Sequence, residues 1–300
     1  MSCEVVITKS GAPAMRDVES GEVMHPGTGP GVEPLELYVK PSRLAERLAA
    51  GRNDDAPFVL LDVGLGAASN AIGAWQVSES LPSTSRRLEI VSFENDLSAL
   101  ELALRPEHAA SFGLTRTDSS PDAHAAASAL LREGRHETAR TSWRLCLGDF
   151  PELLAREPAA SADLVYWDFY SSKTHPHLWT VSTFRALRRV CRSGATLHTY
   201  STATSFRAGL LLAGFAVGAG GRTGLRSETT IASVDVADLE QPLDARWLAR
   251  LERSTAAFPS DVESDDAARA AALSEVRASE QFTESRSPIT SARESSMLTP

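Results

Sequence analysis

An aspartate and a group of aromatic side chains stand where a short apolar segment of this 300-residue chain ends. Asp168 closes the segment ADLVYWD, and the rings near it belong to Tyr166, Trp167, Phe169, Tyr170 and Trp179. A planar base could stack on such rings, while a carboxylate accepts a hydrogen bond from an amine. The alternative, equally supported by composition, is that the tryptophans are core residues and Asp168 caps a turn.

A glycine-bearing turn precedes this centre in the chain. The segment LLDVGLGAASN places Gly64 and Gly66 directly after an apolar strand and before a helix. Glycine allows a tight turn and a close approach of the backbone to a ligand. Dehydrogenases and many unrelated turns also contain Gly-x-Gly, so the motif alone does not identify a cofactor.

Two further strand ends carry acidic residues. Glu94 ends the segment LEIVSFE, where its carboxylate could accept hydrogen bonds from ribose hydroxyls. Asp149 and Phe150 follow WRLCLG, where the aspartate could bind the amino group of an adenine and the phenylalanine could cover its face. Each acid alone is more often a simple turn residue. Together, at the carboxyl ends of successive strands, they favour an adenosine-containing cofactor.

The third position of the glycine motif discriminates between cofactors. A dinucleotide fingerprint has glycine where this chain has Ala68, and the pyrophosphate of NAD needs close approach to a helix N-terminus. S-adenosylmethionine has no phosphate and tolerates a looser turn. We therefore predict S-adenosylmethionine, and an NAD-linked oxidoreductase is disfavoured.

The order of segments predicts an α/β fold. Short apolar runs alternate with amphipathic helical stretches from residue 58 to about 236, which is typical of a parallel sheet covered on both faces. The segments AGFAVGAGG and ETTIASVD predict an antiparallel hairpin at the sheet edge. The expected architecture is a Rossmann-like class I methyltransferase fold, mostly parallel with a C-terminal antiparallel hairpin.

Composition divides the chain into three parts. Residues 1–50 form a Gly- and Pro-rich extension that ends in a helix from about Ser42 to Ala50, and residues 51–240 form the methyltransferase domain. Residues 241–300 are expected to hold a helix over Asp244–Pro259, a second over Asp265–Phe282 and a disordered end. The sequence contains no internal repeat.

Charge and cysteine content limit the partners. The net charge of −9 argues against a generally basic nucleic-acid-binding surface but leaves room for a local patch. Three widely separated cysteines fit no disulfide framework or metal knuckle, so we expect a cytoplasmic protein with no metal. No apolar run is long enough for a membrane span. The sequence leaves the oligomeric state open.

The region around Asp168 resembles a known family. The segment from DLVYWDFYSSKTHPHLWT to FRAGLLLAGFAV, the opening MRDVESGEVMHPGTGPGVEPLELYV and the loop DVGLGAASN are similar to the methyltransferase domain of the bacterial enzymes that make 5-methylaminomethyl-2-thiouridine in tRNA, the MnmC family. The resemblance covers roughly residues 8 to 237. We expect this chain to lack the flavin-dependent half of the bifunctional members.

The resemblance implies methyl transfer from S-adenosylmethionine to the exocyclic amine of a modified wobble uridine, with the anticodon region of tRNA as partner. Asp168 would orient the amine. Cofactor contacts would come from Gly64, Gly66, Asn70, Glu94, Asp149 and Phe150. Substrate contacts would come from His25, Glu33, Phe169, Lys173, Trp179 and Arg226.

Several positions depart from the family pattern. Ala68 replaces a glycine, Phe169 a small residue, Ser172 a proline and His175 an asparagine. Two other hypotheses therefore stay open: a methyltransferase of a small-molecule or protein amine, supported by the acidic pI, and a binding module without efficient cofactor binding, supported by Ala68.

Arginines at helical spacing form a second candidate substrate contact. Arg185, Arg188, Arg189 and Arg192 fall on one face of a predicted helix over 182–192 and could contact phosphates, with Arg207, Arg222 and Arg226 nearby. An ordinary solvated helix face is the favoured interpretation.

Overall fold

The computed structural model describes residues 3–24, 29–53, 55–115, 121–221, 228–262 and 265–283. Its main feature is an eight-stranded sheet in the order β5-β6-β4-β3-β7-β8-β10-β9. The strands are β1 (Cys3–Ile7), β2 (Pro13–Asp17), β3 (Phe58–Val63), β4 (Leu88–Glu94), β5 (Arg135–Glu137), β6 (Thr141–Leu147), β7 (Ala162–Trp167), β8 (Cys191–Thr199), β9 (Ala216–Gly220) and β10 (Thr229–Ser233). Strands β6, β4, β3, β7 and β8 are parallel, whereas β10 runs antiparallel to both β8 and β9. The predicted fold class and C-terminal hairpin are confirmed.

Helices cover both faces of the sheet and connect its parallel strands. They are α1 (Leu44–Ala50), α2 (Ser69–Ser80), α3 (Ser98–Ala103), α4 (Pro106–Ala109), α5 (Ala123–Glu133), α6 (Phe150–Arg156), α7 (Val181–Val190), α8 (Thr204–Leu212), α9 (Ala245–Arg253), α10 (Asp266–Arg277) and α11 (Glu280–Thr283). Short helical turns of other types occupy Leu35–Val39, Pro176–Leu178 and Val236–Asp238. Within the described ranges, no helix has the length and apolar character that crossing a bilayer requires.

The central strands are buried on both sides. All six residues of β3 are buried, which explains why its sequence is a continuous apolar run with one acid. Along β7, Leu164 and Tyr166 pack into one hydrophobic cluster, while Val165 and Trp167 pack into the other. This alternation follows from the period of two in a strand. It fixes Asp168, the next residue, at the carboxyl edge of the sheet.

The N-terminal extension contains structure that its sequence did not reveal. Strands β1 and β2 form an antiparallel hairpin, and a five-residue π-helical turn spans Leu35–Val39. The predicted helix over Ser42–Ala50 is present as Leu44–Ala50. The hairpin escaped prediction because β1 is only partly buried along its length, which gives no clear apolar alternation.

The C-terminal part also differs in detail. The helix predicted over Asp244–Pro259 ends at Arg253, because Ser254 takes an extended backbone with ψ 132°. Serine and threonine compete with helical hydrogen bonds through their side chains, and Ser254-Thr255 stands at this point. The helix predicted over Asp265–Phe282 is split into α10 and α11. The predicted disordered end lies mostly outside the described residues.

Candidate functional site

The turn between β3 and α2 depends on left-handed backbone conformations. Gly64 and Gly66 have φ of +92° and +52°, and Ala68 has φ of +64°. A Cβ on Gly64 would lie 2.8 Å from the carbonyl oxygen of Asp168, so only glycine lets the two strand ends approach this closely. Ala68 adopts a conformation that costs an L-residue roughly 1–2 kcal/mol. The turn therefore keeps the shape of a glycine-rich loop despite its alanine.

Glu94 at the end of β4 stabilises the same turn. Its Oε2 accepts a hydrogen bond from the backbone N–H of Gly66 at 3.0 Å, and its Oε1 accepts from the backbone of Asn95 at 2.8 Å and Asp96 at 3.2 Å. Burial raises the pKa of this carboxyl, and the three N–H donors act in the opposite direction. Glu94 thus connects the ends of β3 and β4.

Asp168 is held by donors from two other parts of the chain. Its Oδ1 accepts a hydrogen bond from the hydroxyl of Tyr38 at 2.6 Å, and its Oδ2 accepts from Nδ2 of Asn70 at 2.7 Å. Tyr38 is fully buried and Asn70 nearly so. The carboxylate is therefore fixed by the N-terminal extension on one side and by the start of α2 on the other.

These groups share one cavity of about 230 Å³ at the carboxyl edge of the sheet. Of the predicted site residues, it brings together Gly64, Gly66, Asn70, Glu94, Asp168, Phe169 and Glu33. Three buried polar atoms of its lining residues, Ser69 Oγ, Asn70 Oδ1 and the hydroxyl oxygen of Tyr170, have no hydrogen-bond partner among the described residues. Buried polar atoms are normally satisfied, so this wall is suited to a polar ligand.

Four other predicted residues do not line the cavity in the part of the chain that the structure describes. Phe150 and Trp179 are buried in the aromatic core, where the ring of Phe150 contacts Trp167 at 5.6 Å and Trp179 contacts it at 5.8 Å. Asp149 is an exposed residue at the N-cap of α6, and Lys173 is exposed on the loop after β7. Their ligand contacts stay predictions. His25 and Arg226 lie outside the described residues.

Phe169, predicted as a substrate contact, places an aromatic ring in the cavity wall. Its half-buried ring lines the cavity and stands edge-on to Phe150 at 5.2 Å and to Trp167 at 5.3 Å. The cavity wall therefore carries a ring from the segment after β7, and Phe150 packs against that ring from the hydrophobic core.

Three polar contributors were missed by sequence reasoning. Tyr38 binds Asp168, the hydroxyl of Tyr200 donates to the carbonyl of Phe169 at 3.0 Å, and Glu22 accepts from the N–H of Ser171 at 2.8 Å. Glu22 also binds the Thr174 hydroxyl, so the extension is joined to the loop after β7. The opening segment that resembles the known family contains both Glu22 and Tyr38, and this was the available signal.

Of the four arginines predicted on one helix face, Arg185, Arg188 and Arg189 lie on α7, whereas Arg192 lies on β8, because the helix ends at Val190. Arg188 donates to the carbonyl of Gly214 at 3.2 Å, and Arg189 donates to those of Leu154 at 2.9 Å and Glu157 at 3.0 Å. These carbonyls end neighbouring helices, where unpaired acceptors favour a cation. The contacts favour the interpretation of these arginines as an ordinary helix surface over contacts with phosphates. Among the described residues, no group of three His, Cys, Asp or Glu side chains is arranged to hold a metal.

Part of the amino-acid sequence is similar to known methyltransferases. Residues 123–235 match the family described as S-adenosyl-L-methionine-dependent methyltransferase. The tRNA 5-methylaminomethyl-2-thiouridine biosynthesis bifunctional protein MnmC of Cupriavidus metallidurans is 30% identical over 214 residues, which are 71% of this chain and 31% of that protein. The protein of the same name from Polaromonas naphthalenivorans is 33% identical over 164 residues, 53% of this chain and 25% of that protein.

A solved structure shares the fold. The crystal structure of MNMC2 from Aquifex aeolicus superposes with a TM-score of 0.68 at 23% identity, covering 95% of this chain and 86% of that one. The chain spans about a third or less of the length of the two MnmC proteins. The family match identifies residues 123–235 as part of an S-adenosyl-L-methionine-dependent methyltransferase domain.

Proposed function

We propose that this methyltransferase transfers the methyl group to the exocyclic amine of a modified wobble uridine in tRNA, converting 5-aminomethyl-2-thiouridine to its methylamino form in the cytoplasm. The observation that carries the proposal is the position of the Asp168 carboxylate, which lies in the same cavity as the Gly64–Gly66 turn. The names of the MnmC relatives, which align with 53% and 71% of this chain, supply the substrate.

The cavity suits S-adenosylmethionine. Gly64, Gly66 and Glu94 bring the ends of β3 and β4 together, and the unpaired Asn70 Oδ1 offers an acceptor to a ligand N–H. Carboxylates in the wall suit the positive charge of a sulfonium and an ammonium group. When bound, the cofactor supplies a methyl carbon that the sulfonium activates for displacement. The predicted contacts of Asp149 and Phe150 would need the cavity to extend toward the end of β6.

Asp168 then has an orienting role. The carboxylate accepts hydrogen bonds from Tyr38 and Asn70, and a carboxylate has about four acceptor sites in all. The carboxylate accepts a hydrogen bond from the amine, so that the nitrogen lone pair faces the methyl carbon. Alignment of this kind is the main contribution that a protein makes to an in-line displacement.

The N-terminal extension completes the acceptor side. Glu22, Met24, Glu33 and Leu37 all line the cavity, and Met24 lies against the turn at Gly66. We propose that residues 1–50 act together with the domain formed by residues 51–240 rather than as a separate unit. The substrate contacts predicted for His25, Lys173 and Arg226 belong to this proposal, and Trp179 would support the loop after β7.

One observation favours a second candidate, a small-molecule or protein amine. The cavity wall carries five carboxylates, and none of its described lining residues is lysine or arginine. Such a wall accepts a cationic amine but offers no lysine or arginine to a phosphate among its described residues. If tRNA is the substrate, cationic contacts to its phosphates come from outside this lining.

Methylation assays distinguish the candidates. Labelled S-adenosylmethionine should transfer its methyl group to tRNA that carries 5-aminomethyl-2-thiouridine and not to the same tRNA lacking the aminomethyl group. Transfer only to free amines would favour the second candidate. In Asp168→Asn we expect single-turnover methylation to fall by ~10²-fold or more while S-adenosylhomocysteine still binds. Full activity in this variant would exclude the role given to Asp168.

A further inference from the structure

The hydroxyl of Tyr38 connects the N-terminal extension to the site carboxylate across 130 positions of sequence. It lies 2.6 Å from Oδ1 of Asp168 and 3.4 Å from the carbonyl oxygen of Trp167. The side chain is 0% exposed, on the π-helical turn Leu35–Val39. Because the short contact is to Asp168, that carboxylate is the main acceptor.

The orientation of the Asp168 carboxylate depends on this contact. Rotation about the terminal torsion of an aspartate is only weakly restricted by its own covalent geometry. In this site Tyr38 holds one oxygen, and Nδ2 of Asn70 holds the other at 2.7 Å. Two donors from separate elements therefore define the plane of the carboxylate and the directions in which its oxygens accept hydrogen bonds.

Tyr38 remains a donor throughout the working pH range. Burial raises the pKa of its hydroxyl well above the ordinary value, and the negative charge of Asp168 raises it further. The hydroxyl therefore keeps its proton and directs it at the carboxylate.

We propose that Tyr38 is a positioning residue for methyl transfer, acting through Asp168 to aim the carboxylate at the acceptor amine. The proposal rests on the proposed function. It predicts that removal of the hydroxyl affects the rate of the chemical step more than it affects binding of the cofactor or the acceptor.

A second buried tyrosine provides a matched control. The ring of Tyr166 lies 5.4 Å from that of Tyr38, and it is also 0% exposed. Its hydroxyl is 3.0 Å from the hydroxyl of Ser42, so its described hydrogen bond is to a residue outside the cavity wall. Tyr166→Phe thus removes an equivalent buried hydroxyl from the same cluster.

The test compares Tyr38→Phe with Tyr166→Phe in single-turnover methylation of the aminomethyl tRNA. For Tyr38→Phe we expect a rate loss of ~10- to 100-fold, with S-adenosylhomocysteine affinity and acceptor KM within about twofold of wild type. Tyr166→Phe should keep the rate within about threefold. Near-ultraviolet circular dichroism and thermal melting show whether both variants keep the wild-type packing.

A double-mutant cycle with Asp168→Asn shows whether Tyr38 acts through that residue. Positioning requires the effect of Tyr38→Phe on the rate to vanish or shrink strongly in the Asp168→Asn background. An equal loss in both backgrounds, or an equal loss in the two Tyr→Phe variants, would overturn the inference. Should wild-type protein methylate neither this tRNA nor any amine, the proposed function fails and the inference with it.

Discussion

The backbone N–H of Gly66 donates a hydrogen bond of 3.0 Å to Oε2 of Glu94, joining the glycine turn after β3 to the end of β4. The other oxygen of Glu94 accepts from the next two backbone N–H groups, those of Asn95 and Asp96. The carboxylate therefore shapes the turn itself, in addition to any contact with a ribose.

Glu94→Gln should weaken the turn, because the amide NH₂ of glutamine cannot accept the hydrogen bonds on one side. We expect a loss of ~1–3 kcal/mol in the free energy of unfolding and at least ~10-fold weaker binding of S-adenosylhomocysteine, measured by denaturation and calorimetry. Glu89→Gln, on the same strand at a half-buried position near Arg144, is the control and should change both quantities little. Equal behaviour of the two variants would contradict the role of Glu94.

Gly64→Ala should lower the stability of the protein more than an alanine placed at a left-handed glycine with open space around it. The added Cβ would meet the carbonyl oxygen of Asp168 at 2.8 Å and the amide nitrogen of Phe169 at 3.1 Å, both backbone atoms. Gly113 has φ of +70° and open space around its Cβ position. Gly113→Ala should cost only the conformational penalty of ~1–2 kcal/mol, whereas Gly64→Ala should cost several and abolish methylation. Chemical denaturation of both variants makes the comparison.

Asp62 should make stability depend on pH. It is buried in β3, and burial raises the pKa of its carboxyl from 3.8 to about 7, with the hydrogen bond from Ser92 acting in the opposite direction. The folded protein then holds a proton that the unfolded chain releases, so this contribution is complete below pH 3.8 and is lost as pH rises through about 7.

Asp62→Asn removes that titration while keeping the shape of the side chain. Relative to wild type, the variant should gain stability between pH 4 and about 7, by on the order of 1 kcal/mol per pH unit, and the difference should level off above that pH. Urea denaturation at several pH values measures the difference, in which the titrations of other groups cancel. A constant difference across this range would show that Asp62 is not the titrating group.

Arg189→Ala should affect stability rather than substrate binding. The guanidinium donates to carbonyls at the end of α6, so its removal leaves helix-end acceptors without a cation and should cost ~1–2 kcal/mol. Arg253→Ala, at the exposed end of α9, is the control for removal of one surface charge. If Arg189→Ala instead weakens tRNA binding in a salt-dependent way with unchanged stability, the helix face contacts phosphates.

The sequence by itself was sufficient to predict the parallel sheet and several of the residues at the carboxyl ends of its strands. Buried apolar runs separated by helical stretches are sufficient to predict parallel strands, and residues that follow such strands must meet at their carboxyl ends. For this reason the positions of Gly64, Glu94 and Asp168 along the chain are enough to predict that they lie together. The same rule placed Asp149 and Phe150 at that edge, but it could not tell whether a ring enters the cavity or the core.

Only the tertiary structure decided which distant side chains complete the site. Phe150 packs into the aromatic core, whereas Phe169 lines the cavity and stands edge-on to Phe150 at 5.2 Å. Tyr38 reaches Asp168 from 130 residues away, and Glu22 reaches Ser171 from 149. Such contacts depend on how the N-terminal extension packs across the sheet, and local sequence patterns describe only neighbours within one strand or helix.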